Sequence, residues 1–288
     1  AAIILLLIGF GSKFALVPLH TWLADAHPAA PASISALLSG IVIKAYLYAW
    51  LRTLFVLTNP VNLIASNLNV ILIYTGVVTL LTGHLLAYQQ QNVKRLLAYS
   101  TISQIGYIMI GIATLTQQGI SGGVFHVINH AVVKSVLFLT AGIFSQKIKA
   151  KTITDLIGAG YKTPLLGLIF TISSLTIIGL PPFNIFISKW LIAEAALNKG
   201  FIIPGAAILI GSILALSYYL KIIKAIYTKE KSNYQPVDIN WKLKFPILIL
   251  TPVCLIIGIF PSVILTKLQQ AVTYLLDPEL YHQILFIG

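Results

Sequence analysis

The sequence predicts an all-α, polytopic bundle of transmembrane helices. Of its 288 residues, 58% are hydrophobic and 9% are charged, and the mean hydropathy is +0.92. A soluble domain has about 25% charged residues, so this composition excludes a soluble enzyme. Apolar runs long enough to cross a bilayer recur along the whole chain, which excludes a disordered or fibrous protein.

Eight apolar runs approach or exceed about 20 residues, the length that crosses the hydrocarbon core as a helix. We therefore predict about eight spans, at 1–17, 32–57, 61–88, 93–116, 119–145, 164–197, 201–227 and 243–266. The tail, 268–287, is less apolar and carries Asp277 and Glu279, so it is interpreted as an interfacial helix. Residues 228–288 thus comprise a basic loop, a last transmembrane helix and this tail.

The net charge of +12 resides mainly in short loops between apolar runs, which is typical of topology signals and not of a nucleic-acid-binding face. Arg52, Lys199 and Lys267 lie on one side of the predicted bundle. A larger set lies on the opposite side: Lys94, Arg95, Lys147, Lys149, Lys151, Lys162, Lys221, Lys224, Lys229, Lys231, Lys242 and Lys244. By the positive-inside rule, this second side faces the cytoplasm or its equivalent.

The beginning of the chain has the features of a cut. Ala1 lies inside an apolar run, and Met109 is the one methionine. No start residue and no signal-peptide pattern precedes the first span. The sequence is therefore expected to be a piece of a longer chain.

Two predicted spans contain residues that interrupt helices. In 164–197, Pro181 and Pro182 follow Gly179 in the middle of the run, where proline removes a backbone donor and clashes with the preceding turn. Such a break at membrane depth requires protein or a water-filled cavity to satisfy the freed carbonyl groups. A weaker signal of the same kind is a set of glycines in 119–145: Gly119, Gly122, Gly123 and Gly142. We expect broken helices near the membrane midplane, as in transporters.

Four lysines lie inside predicted spans: Lys13, Lys44, Lys134 and Lys189. A charged side chain at the centre of a bilayer costs roughly 2.5–3.5 kcal/mol on insertion scales, so such residues are functional candidates by default. Lysines that take up and return protons fit this pattern. The alternative is that each lysine is structural and donates hydrogen bonds to carbonyl groups at a helix end.

His126, His130 and Lys134 are spaced i, i+4 and i+8, which places them on one helical face. They extend over about 12 Å along the helix axis. Histidine titrates nearest neutral pH, so this face is a candidate proton relay along a hydrated cavity. The alternative is that both histidines form hydrogen bonds between packed helices.

Three further titratable residues are candidates for the relay or for proton access: His20, His84 and Glu194. His20 lies in a predicted loop, 18–31, with His27 and with Asp25, which is interpreted as structural. Glu194 follows Lys189 by five positions, a spacing that does not pair on a helix, and we expect it near water.

A haem site is one alternative use of the histidines, because His84 is a potential iron ligand together with His126 or His130. Two histidines four residues apart on one helix cannot bind one iron from opposite faces, which weighs against this alternative. Cys254, the single cysteine, excludes an internal disulfide and a Cys-ligated metal or iron–sulfur site. No Gly-rich nucleotide loop follows a strand pattern. We expect no bound cofactor, no metal and no catalytic residue in this chain.

Four blocks resemble one family, in the same order along the chain. They are GSKFALVPLHTWLADAHPAAPASISALLSG at 11–40, NVKRLLAYSTISQIGYIMIGI at 92–112, FHVINHAVVKSVLFLTAGIF at 125–144 and GLPPFNIFISKWLI at 179–192. This pattern resembles the antiporter-like membrane subunits of respiratory complex I, whose family includes Mrp-type sodium/proton antiporter subunits and membrane-bound hydrogenase subunits. The resemblance covers most of residues 1–227.

The resemblance implies that residues 1–227 correspond to the seventh to thirteenth spans of the family fold. It also implies a proton-relay role for six residues: Lys13, Lys44, His126, His130, Lys134 and Lys189. In the family, a glutamate on the fifth span is the partner of the seventh-span lysine. That glutamate lies outside this sequence, so Lys13 has no visible counter-charge here.

The sequence therefore predicts a proton-translocating membrane subunit of an energy-converting complex, either an NADH/quinone-type dehydrogenase or a membrane-bound hydrogenase. A subunit of an Mrp-type sodium/proton antiporter is the nearest alternative, and a structural membrane anchor is the alternative from another class. The expected partners are other membrane subunits, the lipid bilayer, and protons or sodium ions, with no nucleic acid. Any oxidoreductase activity belongs to the assembly, in a bacterial, archaeal or plastid (thylakoid) membrane.

Overall fold

The computed structural model describes residues 2–57, 60–229 and 235–277. Within these ranges the chain is a helical bundle that contains no β-strand, and Asn92 and Thr152 form one isolated antiparallel bridge. The predicted all-α membrane bundle is confirmed by this architecture and by the length and hydropathy of its helices.

The described residues form fourteen α-helices, numbered in chain order. They are α1 (Ala2–Lys13), α2 (Thr21–Ala29), α3 (Ala32–Leu37), α4 (Ile43–Leu57), α5 (Pro60–Ala65), α6 (Leu68–Tyr88), α7 (Val93–Ala113), α8 (Gln117–Lys147), α9 (Ala159–Lys162), α10 (Pro164–Ile178), α11 (Asn184–Asn198), α12 (Ile202–Tyr227), α13 (Trp241–Ile259) and α14 (Ser262–Leu276). A π-helical segment, Leu38–Val42, joins α3 to α4.

Six helical segments in the described ranges are long and apolar enough to cross a membrane. They are the continuous segment Ala32–Leu57, α6, α7, α8, α12 and α13. The two other predicted spans correspond to shorter helices. The span 1–17 corresponds to α1, and the span 164–197 corresponds to α10 followed by α11.

The predicted span 1–17 is wrong at its C-terminal end, because α1 ends at Lys13. Ala15 has a left-handed backbone conformation, with φ of 61°, and the Leu16 N–H donates to Gly11 O over 2.8 Å. This bond between residues five positions apart is that of a Schellman motif, which closes a helix. The apolar pattern continues past Lys13 because the residues of this turn are themselves buried.

The predicted span 61–88 is divided into two helices. α5 ends at Ala65, and α6 begins at Leu68. Asn67 between them has a left-handed conformation, with φ of 53°, which asparagine adopts more readily than most residues. The hydropathy pattern does not show this turn because apolar residues flank it on both sides.

The predicted span 243–266 ends early, at Ile259, and α14 begins at Ser262. Pro261 separates the two helices, and a residue that precedes proline is disfavoured in helical conformation. α14 includes the first part of the segment 268–287, whose interfacial position stays a prediction. The last part of this segment, 278–287, lies outside the described residues. Gln117 Nε2 of α8 donates to Thr273 Oγ1 of α14 over 2.8 Å, which joins α14 to the bundle.

The break predicted at Pro181 and Pro182 is confirmed. α10 ends at Ile178, Gly179 has a left-handed conformation with φ of 90°, and α11 begins at Asn184. Both prolines are exposed in this connection. The carbonyl groups at the end of α10 consequently lack helical partners.

The interruption predicted in 119–145 is wrong, because α8 continues without a break from Gln117 to Lys147. Its glycines allow close packing instead. A Cβ at Gly122 would lie 2.9 Å from Leu191 Cβ of α11, and a Cβ at Gly119 would lie 2.7 Å from Gly111 O of α7. Small residues at such positions let membrane helices approach each other closely.

α7 and α8 form the centre of the bundle. Every residue of α7 from Leu96 to Ala113 is buried, and α8 packs against α3, α7, α10, α11, α13 and α14. Polar side chains on these two helices are therefore enclosed by protein. This position distinguishes them from the outer helices, which expose large apolar side chains.

Asn129 of α8 and Asn184 of α11 form a reciprocal pair of hydrogen bonds. Asn184 Nδ2 donates to Asn129 Oδ1 over 3.0 Å, and Asn129 Nδ2 donates to Asn184 O over 3.2 Å. Both side chains are buried. The pair holds the first residue of α11 against α8 directly after the break.

Gly106→Ala is expected to destabilise the bundle. A Cβ at Gly106 would lie 2.6 Å from Leu80 Cβ, so α6 and α7 would have to separate. Overpacking of this kind typically costs about 1–3 kcal/mol, and we expect a lower melting temperature in detergent. Gly9→Ala on α1 is the control, since a Cβ there meets no atom within 4 Å. Equal melting temperatures for the two variants would contradict the packing argument.

Asn129→Ala is expected to destabilise the contact between α8 and α11. The substitution leaves the buried Asn184 Nδ2 without its acceptor, and an unsatisfied buried polar group costs about 1–3 kcal/mol. A double-mutant cycle with Asn184→Ala, followed by thermal unfolding, measures the interaction energy. We expect the two losses to be strongly non-additive. Additive losses would show that the pair does not hold the helices together.

Candidate functional site

Three of the predicted relay lysines, Lys44, Lys134 and Lys189, are buried inside the bundle. Each donates to at least one backbone carbonyl oxygen. Among the described residues, the ion pairs lie elsewhere and none involves these three lysines. Their amine groups are therefore surrounded by neutral acceptors and not by carboxylates.

Lys44 is positioned by the π-helical segment. Its Nζ donates to Ser39 O, which lies within that segment. The Ser39 and Thr101 hydroxyls are 2.9 Å apart, and Thr101 Oγ1 donates to Leu97 O of α7 over 3.0 Å. The sequence did not predict the π-helical segment, although such segments are frequent at functional sites.

Lys134 projects from α8 towards α7 and α12. Its Nζ donates to Leu97 O over 2.9 Å, to Ser100 Oγ, and to Tyr219 OH over 3.4 Å. The Ser100 and Tyr219 hydroxyls are 3.0 Å apart. Leu97 O also accepts from Thr101, whose hydroxyl contacts Ser39 beside Lys44. This carbonyl group therefore links the surroundings of Lys134 to those of Lys44.

Lys189 lies at the break between α10 and α11. Its Nζ donates to Ile178 O over 2.9 Å and, more weakly, to Ile177 O over 3.4 Å. These are the last carbonyl groups of α10, where the helix dipole favours a cation. The amine also donates to Ser212 Oγ over 3.1 Å and lies 4.5 Å from the centroid of the Tyr107 ring. Donation to carbonyl groups at a helix end is the arrangement expected if Lys189 is purely structural. The same hydrogen bonds also stabilise the protonated form of a lysine that takes part in proton transfer.

His126 is bonded to two other helices. Its Nδ1 lies 2.8 Å from Ser188 Oγ of α11, and its Nε2 lies 2.9 Å from Gln104 Oε1 of α7. His126 is fully buried. The alternative use of this histidine, between packed helices, is therefore seen in the structure. Its partner Ser188 directly precedes Lys189 on α11.

His130 is fully buried, and neither of its nitrogens has a hydrogen-bond partner among the described residues. Its ring stacks on that of His126, with centroids 6.2 Å apart and planes inclined by 14°. The shared face predicted from the spacing is thus present. The two imidazoles do not bond to each other.

His84 lies between two tyrosines, fully buried. Its Nδ1 is 3.1 Å from Tyr218 OH, and its Nε2 is 3.1 Å from Tyr107 OH. Neither nitrogen is left to bind iron, so the geometry argues against the haem alternative. In the part of the chain that the structure describes, no group of three or more His, Cys, Asp or Glu residues is placed to hold a metal ion.

Three candidate residues lie apart from the buried lysines. Lys13 is exposed at the end of α1, Glu194 is exposed on α11, and His20 is buried directly before α2. Within the described ranges, no hydrogen bond or ion pair joins any of them to the other candidates. Their role in a relay stays a prediction.

The segment 18–31 is not a loop as predicted, because it contains α2. Asp25 Oδ1 of this helix lies 3.1 Å from Arg95 Nη2 of α7, and both side chains are exposed. An exposed ion pair of this kind contributes about 0–1 kcal/mol. The structural interpretation of Asp25 fits this contact.

His27 on α2 is fully buried and stacks on Phe138 of α8, with ring centroids 4.4 Å apart. Burial, and then the positive charges of Lys134, Lys44 and Lys94, lower the pKa of His27 to about 3. The ring is therefore neutral near pH 7.

Several polar residues of the site were not predicted: Ser100, Gln104, Tyr107, Ser188, Ser212, Tyr218 and Tyr219. Hydroxyl and amide side chains are common between membrane helices, so residue type alone does not mark them. Spacing was the signal that could have found three of them. Ser100, Gln104 and Tyr107 recur at i, i+4 and i+7, which places them on one face of α7.

Comparison with known proteins supports the resemblance. Residues 1–215 match the family described as NADH:quinone oxidoreductase/Mrp antiporter, transmembrane. The chain is 35% identical over 272 residues to NADH-quinone oxidoreductase subunit M of Rickettsia typhi, which covers 93% of this chain and 54% of that protein. It is 34% identical over 281 residues to a Na(+)/H(+) antiporter subunit of Alkalihalophilus pseudofirmus, which covers 96% of this chain and 56% of that protein.

The fold is also similar to that of a chain in a solved archaeal respiratory membrane complex, the membrane-bound sulfane sulfur reductase. The TM-score is 0.89 at 33% identity, and the match covers 97% of this chain and 56% of that chain. The chain thus spans about half the length of the curated relatives it matches. Since the family match over residues 1–215 includes all three buried lysines and the helices that hold them, this chain belongs to the NADH:quinone oxidoreductase/Mrp antiporter transmembrane family.

Proposed function

We propose that this chain carries protons in an energy-coupling membrane, as one subunit of an energy-converting complex. The observation that carries the proposal is the burial of Lys44, Lys134 and Lys189 without an anionic partner among the described residues. Charged groups at membrane depth are costly, and they mark ion pathways and proton relays. Membership of a family that includes oxidoreductase and antiporter subunits supports the same conclusion.

The surroundings of each lysine suit reversible protonation. Carbonyl and hydroxyl oxygens accept hydrogen bonds from an ammonium group, while a neutral amine needs no counter-charge in the interior. Like charges repel each other more strongly in a low-dielectric interior than in water. A proton that arrives at one lysine therefore favours the release of a proton from its neighbour.

In this proposal the relay runs along Lys44, Lys134 and Lys189, with the histidines of α8 beside it. His126 contacts Ser188, one residue before Lys189, and His130 lies on the same face as Lys134. Lys13, exposed on α1, extends the relay away from the bundle centre. The chain itself binds no cofactor within this scheme, and oxidation and reduction take place in partner subunits.

The parent assembly is proposed to be a redox-driven pump of the NADH/quinone-dehydrogenase or membrane-bound hydrogenase type. The 35% identity to a protein named NADH-quinone oxidoreductase subunit M supports this assignment. A second candidate is an Mrp-type sodium/proton antiporter, which is supported by the 34% identity to the Na(+)/H(+) antiporter protein. The two candidates share the lysines and differ in the driving reaction and in the coupled ion.

Lys134→Ala and Lys189→Ala are each expected to abolish proton translocation by the complex that contains the full-length protein. Either substitution removes a group that holds the proton at one step. Quenching of a pH-sensitive dye in inverted membrane vesicles measures the translocation, and blue-native electrophoresis measures assembly. Lys199→Ala is the matched control, because Lys199 is exposed at the end of α11.

The same variants test the structural anchor. If the polar residues only hold helices together, Lys134→Ala and Lys189→Ala should fail to assemble. Normal translocation by an assembled Lys189→Ala complex would refute the relay. Assembly with loss of translocation supports it.

Sodium dependence separates the two candidate assemblies. For a redox-driven pump, we expect an electron donor to drive proton uptake into proteoliposomes without added sodium, and flavin, iron–sulfur or nickel subunits to co-purify. Proton flux that needs a sodium gradient and no electron donor would contradict this assignment. That result, with only small membrane proteins co-purifying, would instead support the antiporter.

A further inference from the structure

We propose that Tyr218, His84 and Tyr107 form a hydrogen-bonded bridge that passes protons between Lys134 and Lys189. The inference rests on the proposed function and names a route within it. The bridge connects α12, α6 and α7. It therefore bypasses the α8 face that carries the two predicted relay histidines.

His84 is the centre of this bridge, with 3.1 Å from Nδ1 to Tyr218 OH and 3.1 Å from Nε2 to Tyr107 OH. Tyr107 OH donates to Ile208 O over 3.4 Å, so its oxygen is free to accept from the imidazole. A neutral imidazole has one donor and one acceptor nitrogen. Nε2 therefore carries the hydrogen, and Nδ1 accepts from Tyr218. In this tautomer a proton enters at Nδ1 as another leaves from Nε2.

The first end of the bridge reaches Lys134. Lys134 Nζ donates to Ser100 Oγ and to Tyr219 OH, and these two hydroxyls are 3.0 Å apart. The Ser100 hydroxyl itself donates to Leu97 O over 3.0 Å, so its hydrogen does not point towards Tyr218 in this arrangement. The Tyr218 and Tyr219 rings are adjacent, with centroids 4.8 Å apart. Ser100 and Tyr219 thus bring the Lys134 amine close to the first tyrosine of the bridge, and rotation of the Ser100 hydroxyl would complete this step.

The second end of the bridge reaches Lys189. Tyr107 OH donates to Ile208 O of α12 over 3.4 Å, and Ser212 lies one turn further along the same face of that helix. Ser212 Oγ in turn accepts from Lys189 Nζ over 3.1 Å. The same amine lies 4.5 Å from the centroid of the Tyr107 ring. Side chains therefore lie along the path between the two lysines, with hydrogen bonds at its centre and at each lysine. The steps from Ser100 to Tyr218 and from Tyr107 to Ser212 require the hydroxyl groups to rotate.

The histidine face of α8 is interrupted at its centre. Both nitrogens of His126 are bonded to side chains of other helices, and those of His130 have no partner among the described residues. The two rings stack with centroids 6.2 Å apart. Transfer through His130 would need water molecules on both of its sides, whereas both nitrogens of His84 contact protein hydroxyl groups.

The proton balance of the transfer is simple. With Lys134 protonated and Lys189 neutral, the ammonium gives a proton to Ser100 Oγ. The Ser100 and Tyr107 hydroxyls, which donate to Leu97 O and Ile208 O, first rotate towards Tyr218 and Ser212. Each hydroxyl then accepts one proton and passes its own to the next group, and His84 accepts at Nδ1 and releases from Nε2. Ser212 gives its proton to the Lys189 amine. Lys134 has lost one proton, Lys189 has gained one, and reorientation of the hydroxyls and imidazole restores the starting arrangement.

Gly211 of α12 makes room for the bridge. A Cβ at this position would overlap with the Tyr107 hydroxyl and would lie 3.1 Å from His84 Cδ2. Any larger residue would displace the contact between the imidazole and the phenol. The absence of a side chain at residue 211 is thus explained by the approach of α12 to this pair.

A buried Tyr–His–Tyr arrangement can also serve only to hold three helices together. The two roles differ in the effect of His84→Gln. A glutamine amide donates and accepts hydrogen bonds, but it does not exchange protons between its two ends. It therefore preserves a structural contact and interrupts a relay.

The test measures proton flux into proteoliposomes that contain the full-length protein in its complex. Tyr107→Phe, Tyr218→Phe and His84→Gln are compared with Tyr74→Phe, a matched control on the exposed side of α6. We expect each of the first three to slow proton transfer by about 10²-fold, as loss of a positioned proton donor or acceptor typically does. The control should retain the wild-type flux, and His84→Gln should retain the wild-type melting temperature.

Lys134→Ala, measured in parallel, separates failure of the bridge from failure of the proposed function. If Lys134→Ala abolishes the flux while the His84 and tyrosine variants transport normally, the bridge is structural and the inference is overturned. If His84→Gln loses flux only together with thermal stability, the relay is likewise overturned in favour of a structural contact. If Lys134→Ala itself transports normally, the proposed function fails, and the bridge fails with it.

Discussion

The burial of three amines without a carboxylate partner is the constraint on which this bundle depends. Lys44, Lys134 and Lys189 must be solvated by carbonyl and hydroxyl oxygens, because the ion pairs in the described part of the chain lie at its surface. A regular helix offers few unused carbonyl groups away from its C-terminus. The bundle supplies them through a π-helical segment at Ser39 and a helix break after Ile178.

The central position of α7 and α8 follows from the same constraint. α7 presents Leu97 O and Ser100 to Lys134, and it presents Gln104 to His126. These contacts require a close approach between α7 and α8, which Gly111 and Gly119 permit. Helix packing and the solvation of the buried amines therefore depend on each other, because a larger residue between the helices would also move the acceptors away from the amines.

Much of the site could be predicted from residue type and spacing. The lysines inside apolar runs were recognisable because charge is rare and costly at membrane depth. The break at Pro181 was recognisable because proline cannot continue the backbone hydrogen bonding. The glycines of α8 led to the wrong prediction of a broken helix, since glycine occurs both where helices are interrupted and where helices pack closely. Only the neighbours of Gly119 and Gly122 on α7 and α11 show that packing is the reason here.

By itself, the sequence determined the membrane class, the positions of most of the long helices, the buried lysines and the family, because these depend on composition, hydropathy and local motifs. The tertiary structure alone decided which groups meet. His84 and Tyr218 are 134 positions apart, and Lys134 and Tyr219 are 85 apart. No local periodicity relates residues at such separations, so these contacts are set by how the helices pack. That packing brings polar residues from distant parts of the sequence into contact.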